Sequence, residues 1–173
     1  EIAALVVEPV VQAAAGMQIW DPAWLRRLRD ACTRADVFLI ADEVFTGLGR
    51  TGAMWASELA EISPDLLCTA KALSGGMLPF AATLATERIY DGFRGEPARA
   101  FLHGHSYCGN PLGAAVAREV LAILHEEAVL AGVRRKAPEL ASCVQALEAS
   151  GLGHRARAIG MVAAIDVGDG GYA

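Results

Sequence analysis

Two charged residues, each placed directly after a short apolar run, are the positions at which this sequence could carry out chemistry. Asp42 follows the run 37–41, and Lys71 follows the run 66–70. Apolar runs of this length are typical of buried strands, and in an open parallel sheet ligands bind beyond the carboxyl ends of the strands. A lysine amine in that place can form a Schiff base with a carbonyl group. An aspartate there can pair with a protonated ring nitrogen.

The surroundings of Lys71 bear on whether its amine can act as a nucleophile. An apolar run precedes it and the small-residue segment 72–76 follows it. We therefore expect the side chain to be partly desolvated, which favours the neutral amine. Spacing alone leaves two structural alternatives open. An aspartate at a strand end, such as Asp42, often caps a helix, and a single lysine is often a solvated surface charge.

The order of apolar patterns that must position these residues predicts an α/β fold. Residues 2–7 form a continuous apolar run, as in a strand covered on both faces. Asp21 and Pro22 predict the start of a helix, and apolar residues recur at helical spacing over 24–35. A second strand at 37–41 completes a β-α-β unit, which favours a parallel sheet.

The rest of the chain continues this alternation. Further strands are predicted at 66–70, 80–85 and 159–167, and helices at 111–124 and 126–150, with Pro138 as a break or kink. A shift in composition near residue 125 predicts two parts, residues 1–125 in a large domain and residues 126–173 at the start of a smaller C-terminal domain. Because both ends of the chain fall within or beside predicted strands, we expect it to be a fragment.

Composition excludes several other classes of protein. The chain has 173 residues, a formal net charge of −5 and 54% hydrophobic residues, which suits a folded domain and argues against disorder and nucleic-acid binding. No apolar run is long enough to predict a membrane span. The four cysteines are scattered singly, so we expect neither zinc nor a disulfide framework, and we expect a reducing cytoplasm.

Four segments, in order along the chain, resemble motifs of one enzyme family. Residues 39–52, LIADEVFTGLGRTG, resemble the signature of the class III (fold type I) pyridoxal-phosphate (PLP) aminotransferases, and residues 64–76 resemble that family's lysine segment. Residues 7–12 and 103–112 resemble two further motifs. The resemblance implies an α/β fold, the PLP-dependent transferase fold type I. It would comprise the mostly parallel sheet of the large domain with flanking helices, plus the start of the small C-terminal domain.

The resemblance also implies roles for individual residues. Lys71 would hold the cofactor PLP as a Schiff base and then act as the base that moves a proton. Asp42 would bind the pyridine N–H, and Val44 would pack against one face of the ring. Ser106 would contact the cofactor phosphate from the partner subunit, and Gly104 would leave room for close backbone approach. A homodimer with shared active sites follows.

Four other polar residues near these motifs have less specific expectations. Glu8 could face the substrate site or only satisfy loop amides. Arg50 could orient the loop of Asp42, help to form the substrate site, or form a structural ion pair. His103 and His105 lack a partner pattern for nucleophilic catalysis or metal binding, so we interpret them as residues that form hydrogen bonds within a loop.

The resemblance also implies a particular reaction. Residues 77–88 and 101–107 most resemble the branch of the family that acts in biotin synthesis, with S-adenosylmethionine as amino donor. Related aminotransferases that use ornithine, GABA or lysine remain alternatives, as does a non-catalytic fragment. By the same resemblance, the phosphate-binding glycines and the ring-stacking aromatic would precede residue 1. The arginine that receives the substrate carboxylate would follow residue 173.

Overall fold

The fold is built around a four-stranded sheet with the order β1-β4-β5-β6. The computed structural model describes residues 2–168; residue 1 and residues 169–173, at the outer ends of the two predicted domains, lie outside the described residues. The strands of this sheet are β1 (Ala4–Val7), β4 (Phe38–Asp42), β5 (Leu66–Thr69) and β6 (Ala82–Ala85). Strands β1, β4 and β5 are parallel, and β6 is antiparallel at one edge. The predicted α/β class and mostly parallel sheet are confirmed.

Within residues 2–168, four α-helices accompany the sheet: α1 (Pro22–Ala35), α2 (Glu87–Gly92), α3 (Pro111–Glu126) and α4 (Val129–Ala149). The predicted helix start at Asp21 is confirmed, because its side chain accepts a hydrogen bond from the N–H of Ala23 at 2.8 Å. Asn110 begins α3 in the same way, accepting from the N–H of Leu112 at 3.0 Å. Each cap satisfies a backbone donor that the first helical turn leaves free.

Of the break or kink predicted at Pro138, the break is wrong. Helix α4 is 21 residues long and continues through this proline. A proline removes only one backbone donor from the helix, and the remaining hydrogen bonds of a helix of this length carry it past that position. The helix begins at Val129 rather than at residue 126, after Ala128 in a left-handed conformation with φ of 49°.

The strand predicted at 159–167 is confirmed over Val162–Asp166, but a further strand before it was not predicted. The chain there forms an antiparallel hairpin of β7 (His154–Ile159) and β8 (Val162–Asp166). Gly160, with φ of 56°, supplies the left-handed backbone that the reversal needs. A second short hairpin, β2 (Val11–Gln12) with β3 (Gln18–Ile19), follows β1 and was not predicted.

Two buried apolar clusters support the loops that follow the parallel strands. The first contains Val10, Val11, Ala56 and Val162, with Phe45 and Ile19 packed against it. The second contains Leu48, Leu73 and Ala117, with Trp55 and Phe80 packed against it. Because residues 45–56 contribute to both clusters, the loop after β4 is held by packing against the two short hairpins and against α3.

A charged network lies at the end of the sheet where the parallel strands begin. The Asp65 carboxylate accepts a hydrogen bond from the N–H of Leu39 at 2.8 Å and one from the Arg29 guanidinium at 2.6 Å. Burial raises the pKa of Asp65, but the hydrogen bonds from Leu39 and Arg29 and the charges of Arg29 and Arg88 outweigh burial. The pKa therefore lies below its ordinary value. The network ties α1 to both neighbouring strands.

Residues 2–168 contain neither a candidate membrane span nor a candidate metal site. No helix there is both long and apolar enough to cross a membrane. In the same part of the chain, no three side chains among His, Cys, Asp and Glu are arranged so that they could hold a metal ion.

Candidate active site

The sheet brings Glu8, Asp42 and Lys71 to one edge. Asp42 is the last residue of β4 and pairs with Cys68 in the parallel ladder with β5. Lys71 follows the end of β5 after one intervening residue. Glu8 follows β1, whose last residue pairs with β4 immediately before Asp42. Since the three strands are parallel, their carboxyl ends define a single edge, as expected for a ligand site in an open sheet.

The Asp42 carboxylate has one oxygen available for a ligand. Its Oδ1 accepts a hydrogen bond from the N–H of Val44 at 3.1 Å. Among residues 2–168, its Oδ2 accepts no hydrogen bond, although the side chain is half-buried. The hydrogen bond to Oδ1 holds the carboxylate in place. The free Oδ2 is therefore suited to accept a hydrogen bond from a charged N–H group.

Lys71 has an unusual backbone conformation. It opens a 3-10 turn over Lys71–Ser74 and adopts a positive φ of 43°, which is rare for residues other than glycine. A side chain kept in that region costs about 1–3 kcal/mol and persists only where surrounding structure enforces it. The predicted desolvation of Lys71 is wrong for this chain: the residue is exposed, because the segment 75–77 beside it is itself exposed.

Ser74 closes the turn that Lys71 opens. The residue is 2% exposed, and its hydroxyl donates a hydrogen bond to the carbonyl oxygen of Leu78 at 2.5 Å. Leu73, immediately before it, is buried in the second core cluster. The turn is thus anchored at its C-terminal end, which helps to enforce the strained conformation at position 71.

Phe45 contacts two cationic side chains at this edge. The Nζ of Lys71 lies 5.4 Å from the centroid of the Phe45 ring, and the Cζ of Arg50 lies 4.8 Å from it. The Nε of Arg50 also donates a hydrogen bond to the carbonyl oxygen of Phe45 at 2.7 Å. Arg50 forms no salt bridge with any described residue. Of the three expectations for Arg50, these contacts support the orientation of the loop after Asp42.

Glu43 organises that loop from inside the protein. It is 1% exposed, and its Oε1 accepts hydrogen bonds from the N–H and the hydroxyl of Ser57, both at 2.8 Å. Its Oε2 accepts from the Thr46 hydroxyl at 2.6 Å and from the N–H of Ala56 at 2.9 Å. Sequence reasoning assigned Glu43 no role. The available signal was a second carboxylate beside Asp42 at the end of an apolar strand.

Of the two expectations for Glu8, the contacts support the second, in which its side chain satisfies a loop amide. Its Oε2 accepts a hydrogen bond from the N–H of Ala13 at 3.0 Å. Glu8 also lines a mostly apolar cavity of about 200 Å³ together with Trp20 and Trp24. Gln12 lies in β2, where the hairpin register pairs it with Gln18.

Ser106 and Gly104 lie in an exposed segment of the chain. Ser106 begins an exposed turn, and its hydroxyl forms no hydrogen bond with any described residue. A Cβ at Gly104 would meet its nearest neighbour, the Sγ of Cys108, at an ordinary 3.6 Å, so this chain alone does not require glycine there. His105 is a loop hydrogen-bonding residue, since its Nδ1 accepts from the N–H of Tyr107 at 3.1 Å. His103 instead packs its ring against Phe101.

The placement of Asp42 and Lys71 at the ends of adjacent parallel strands is consistent with the family to which comparison with known proteins assigns the chain. The chain belongs to the class III aminotransferase family, which it matches over residues 1–171. Enzymes of this family depend on PLP.

The similar curated relatives narrow the comparison. An adenosylmethionine-8-amino-7-oxononanoate aminotransferase of Nitratidesulfovibrio vulgaris is 50% identical over 149 residues, covering 85% of this chain and 28% of the relative. The enzyme of the same name from Geobacter sulfurreducens is 41% identical over 170 residues, covering 96% and 37%. The chain therefore spans about a third of the length of these relatives.

Solved structures agree on the fold. A Bacillus anthracis aminotransferase superposes with a TM-score of 0.91 at 26% identity, covering 97% of this chain and 38% of that one. The ornithine aminotransferase of Toxoplasma gondii superposes with a TM-score of 0.85 at 32% identity, covering 95% and 38%. The fold type I assignment predicted from the motifs is confirmed.

The residues present fit PLP. The cofactor needs an amine for its aldehyde and an acceptor for its ring N–H, and Lys71 and the free Oδ2 of Asp42 supply these at one sheet edge. When bound, PLP supplies an electron sink that stabilises negative charge on the substrate carbon.

Proposed function

We propose that this chain carries the lysine and aspartate half of an aminotransferase active site. The reaction of the whole enzyme would transfer an amino group from S-adenosylmethionine to 8-amino-7-oxononanoate, giving 7,8-diaminononanoate for biotin synthesis. The observation that carries this proposal is the placement of Asp42 and Lys71 at the ends of neighbouring parallel strands. The 50% identity to a relative that is named for that reaction supports the choice of substrates.

Each residue of the site has a role in this proposal. The Lys71 amine would hold the cofactor at its aldehyde group, and in its free form it would act as the base that moves a proton. Asp42 would accept a hydrogen bond from the cofactor's ring N–H through its free oxygen, which would favour a protonated ring nitrogen. Val44 would pack against one face of the cofactor ring. Arg50 holds the loop between these residues.

We further propose that two copies of the chain form a homodimer and share their sites, with Ser106 of each copy reaching the cofactor phosphate of the other. Apolar side chains around Ser106 are open to solvent in the single chain. Phe101 is 65%, Leu102 92% and Tyr107 79% exposed. Exposed apolar patches of this kind favour burial against a partner. The free Ser106 hydroxyl lies within the same segment.

The division of the chain and its cellular location complete the proposal. Residues 1–125 would belong to the large PLP-binding domain, and residues 126–173 would begin the smaller C-terminal domain. The four cysteines are free among the described residues, which suits a reducing cytoplasm.

The first experiment tests whether the chain uses PLP. Adding PLP to the chain should produce a visible absorption band that disappears in Lys71→Ala. Lys136→Ala is the matched control, because Lys136 is the only other lysine in the sequence and lies exposed on α4. A band that is absent from the wild type, or equal in Lys71→Ala, would overturn the proposed site in this chain.

The second experiment addresses the amino donor. In half-reaction assays on the full-length protein, S-adenosylmethionine should convert the bound cofactor to its amine form, whereas ornithine and GABA should not. Ornithine remains the main competitor, because the Toxoplasma gondii ornithine aminotransferase shares 32% identity with this chain. Conversion by ornithine or GABA without conversion by S-adenosylmethionine would refute the assignment to biotin synthesis.

A further inference from the structure

The Lys71 amine rests against an aromatic ring rather than against a carboxylate. Its Nζ lies 5.4 Å from the centroid of the Phe45 ring, within the range of a cation–π contact. Among residues 2–168, Lys71 forms no salt bridge and its amine donates no hydrogen bond. Among the described residues, the Phe45 ring is therefore the group that contacts the charged end of Lys71.

The position of the Phe45 ring is set by contacts that do not involve Lys71. The side chain packs against the first core cluster, which includes Val10 and Ala56. Arg50 holds its carbonyl oxygen by a hydrogen bond of 2.7 Å and places its guanidinium 4.8 Å from the ring. The ring thus forms part of a rigid loop that begins at Asp42.

A ring and a carboxylate would hold an amine differently. A carboxylate would accept a hydrogen bond from the ammonium and compete directly for its protons. An aromatic face attracts the cation weakly and offers no oxygen acceptor, so it orients the amine and still releases it easily. A lysine that must alternate between a covalent bond and a free state needs the second kind of contact.

On the basis of the proposed function, we infer that Phe45 is a positioning residue for Lys71. It holds the free amine beside the Asp42 loop whenever that amine is not bonded to the cofactor. Phe45 lies three positions after Asp42. One loop therefore positions both the Asp42 carboxylate, which would face the nitrogen of the cofactor ring, and the aromatic side chain against which the Lys71 amine rests.

The two lysines of the chain allow a direct test without cofactor. The PLP-free chain is treated with limiting trinitrobenzene sulfonate, and modification of Lys71 and Lys136 is quantified by peptide mass spectrometry. Lys136 is an exposed internal standard on α4. Phe45→Leu keeps an apolar side chain against the core but removes the ring, and Phe45→Tyr keeps the ring. Circular dichroism establishes that each variant is folded.

The ratio of Lys71 to Lys136 modification should rise about two- to five-fold in Phe45→Leu, as loss of an exposed cation–π contact predicts. It should stay near the wild-type value in Phe45→Tyr. An unchanged ratio in Phe45→Leu, or an equal rise in both variants, would overturn the positioning role. This outcome is independent of the PLP absorption test, so failure of the proposed function and failure of this inference are distinguishable.

Discussion

The Oε1 atom of Glu43 accepts hydrogen bonds from both the backbone N–H and the hydroxyl of Ser57, each at 2.8 Å, across 14 positions of sequence. Two further donors, from Thr46 and Ala56, complete the set around the same carboxylate. This one buried group therefore closes the loop that starts at Asp42 and carries Phe45. Four hydrogen bonds, all from neutral donors, thus hold this carboxylate in place.

Replacement of Glu43 should weaken the fold substantially. Glu43→Ala leaves buried donors at Thr46, Ala56 and Ser57 without an acceptor, so we expect the free energy of unfolding to fall by at least about 2 kcal/mol. Urea denaturation followed by circular dichroism measures this loss. Glu58→Ala is the matched control, because Glu58 is an exposed glutamate in the adjoining 3-10 turn and should change stability by less than about 0.5 kcal/mol. Equal effects would contradict the structural role of the buried carboxylate.

The Asp65 network should make stability depend on pH in acid. The pKa of Asp65 is lowered in the folded chain below its ordinary value of 3.8, so its stabilising contribution is fully present above that pH. The contribution is lost as the pH falls through the lower, folded pKa. Asp65→Asn should therefore cost about 1–2 kcal/mol near neutral pH and progressively less below pH 3.8.

Denaturant titrations of wild type and Asp65→Asn between pH 7 and pH 2 measure this difference. Asp36→Asn is the control, because the Asp36–Arg88 pair of 2.8 Å is exposed on both sides and should contribute little to stability at any pH. A stability difference for Asp65→Asn that stays constant down to the lowest pH would contradict the assigned linkage.

Gly160 should be less tolerant of a side chain than other glycines with a similar backbone. A Cβ there would collide with the backbone of Arg50 and Thr51, and the N–H of Met161 donates to the Arg50 carbonyl oxygen at 2.8 Å. We expect Gly160→Ala to cost at least about 2 kcal/mol, from unfavourable φ and steric overlap together.

Gly151→Ala separates the two causes. Gly151 also has a positive φ, of 76°, but nothing lies within 4 Å of an added Cβ. Its cost should therefore be about 1 kcal/mol, from φ alone. Thermal unfolding of both variants provides the comparison, and similar melting temperatures would contradict the close approach at Gly160.

The strain at Lys71 gives a prediction about stability that is separate from chemistry. Both Lys71→Ala and Lys71→Gly remove the amine, but only glycine adopts the φ of 43° without steric cost. Lys71→Gly should be more stable than Lys71→Ala by about 1 kcal/mol. Chemical denaturation of the two variants side by side measures the difference; if alanine were the more stable, position 71 would not be strained.

Sequence patterns predicted the part of the site that depends on strand ends. The apolar runs before Asp42 and Lys71 are local signals, and parallel pairing then places both residues at one edge. The role of Glu43 depends on Ser57, which lies beyond a loop whose path no local pattern defines. The left-handed conformation of Lys71 was equally hidden, because residue type normally argues against it.

The hairpin at the end of the chain shows a different reason for failure. Strand β7 carries Arg155 and Arg157, and their charges concealed a strand beside the obvious apolar run of β8. Arg157 is satisfied by Asp166 on the opposite strand, at 2.7 Å, a pairing that exists only once the hairpin has formed. Cross-strand compensation of this kind cannot be read from one strand alone.

The left-handed backbone at Lys71 has a consequence for how variants of this chain would be selected. A screen that rewards only resistance to heat should enrich glycine at this position, since the native residue pays a conformational penalty there. The same screen would discard the amine on which the proposed chemistry depends. Selection for robustness and selection for turnover therefore pull this one residue in opposite directions.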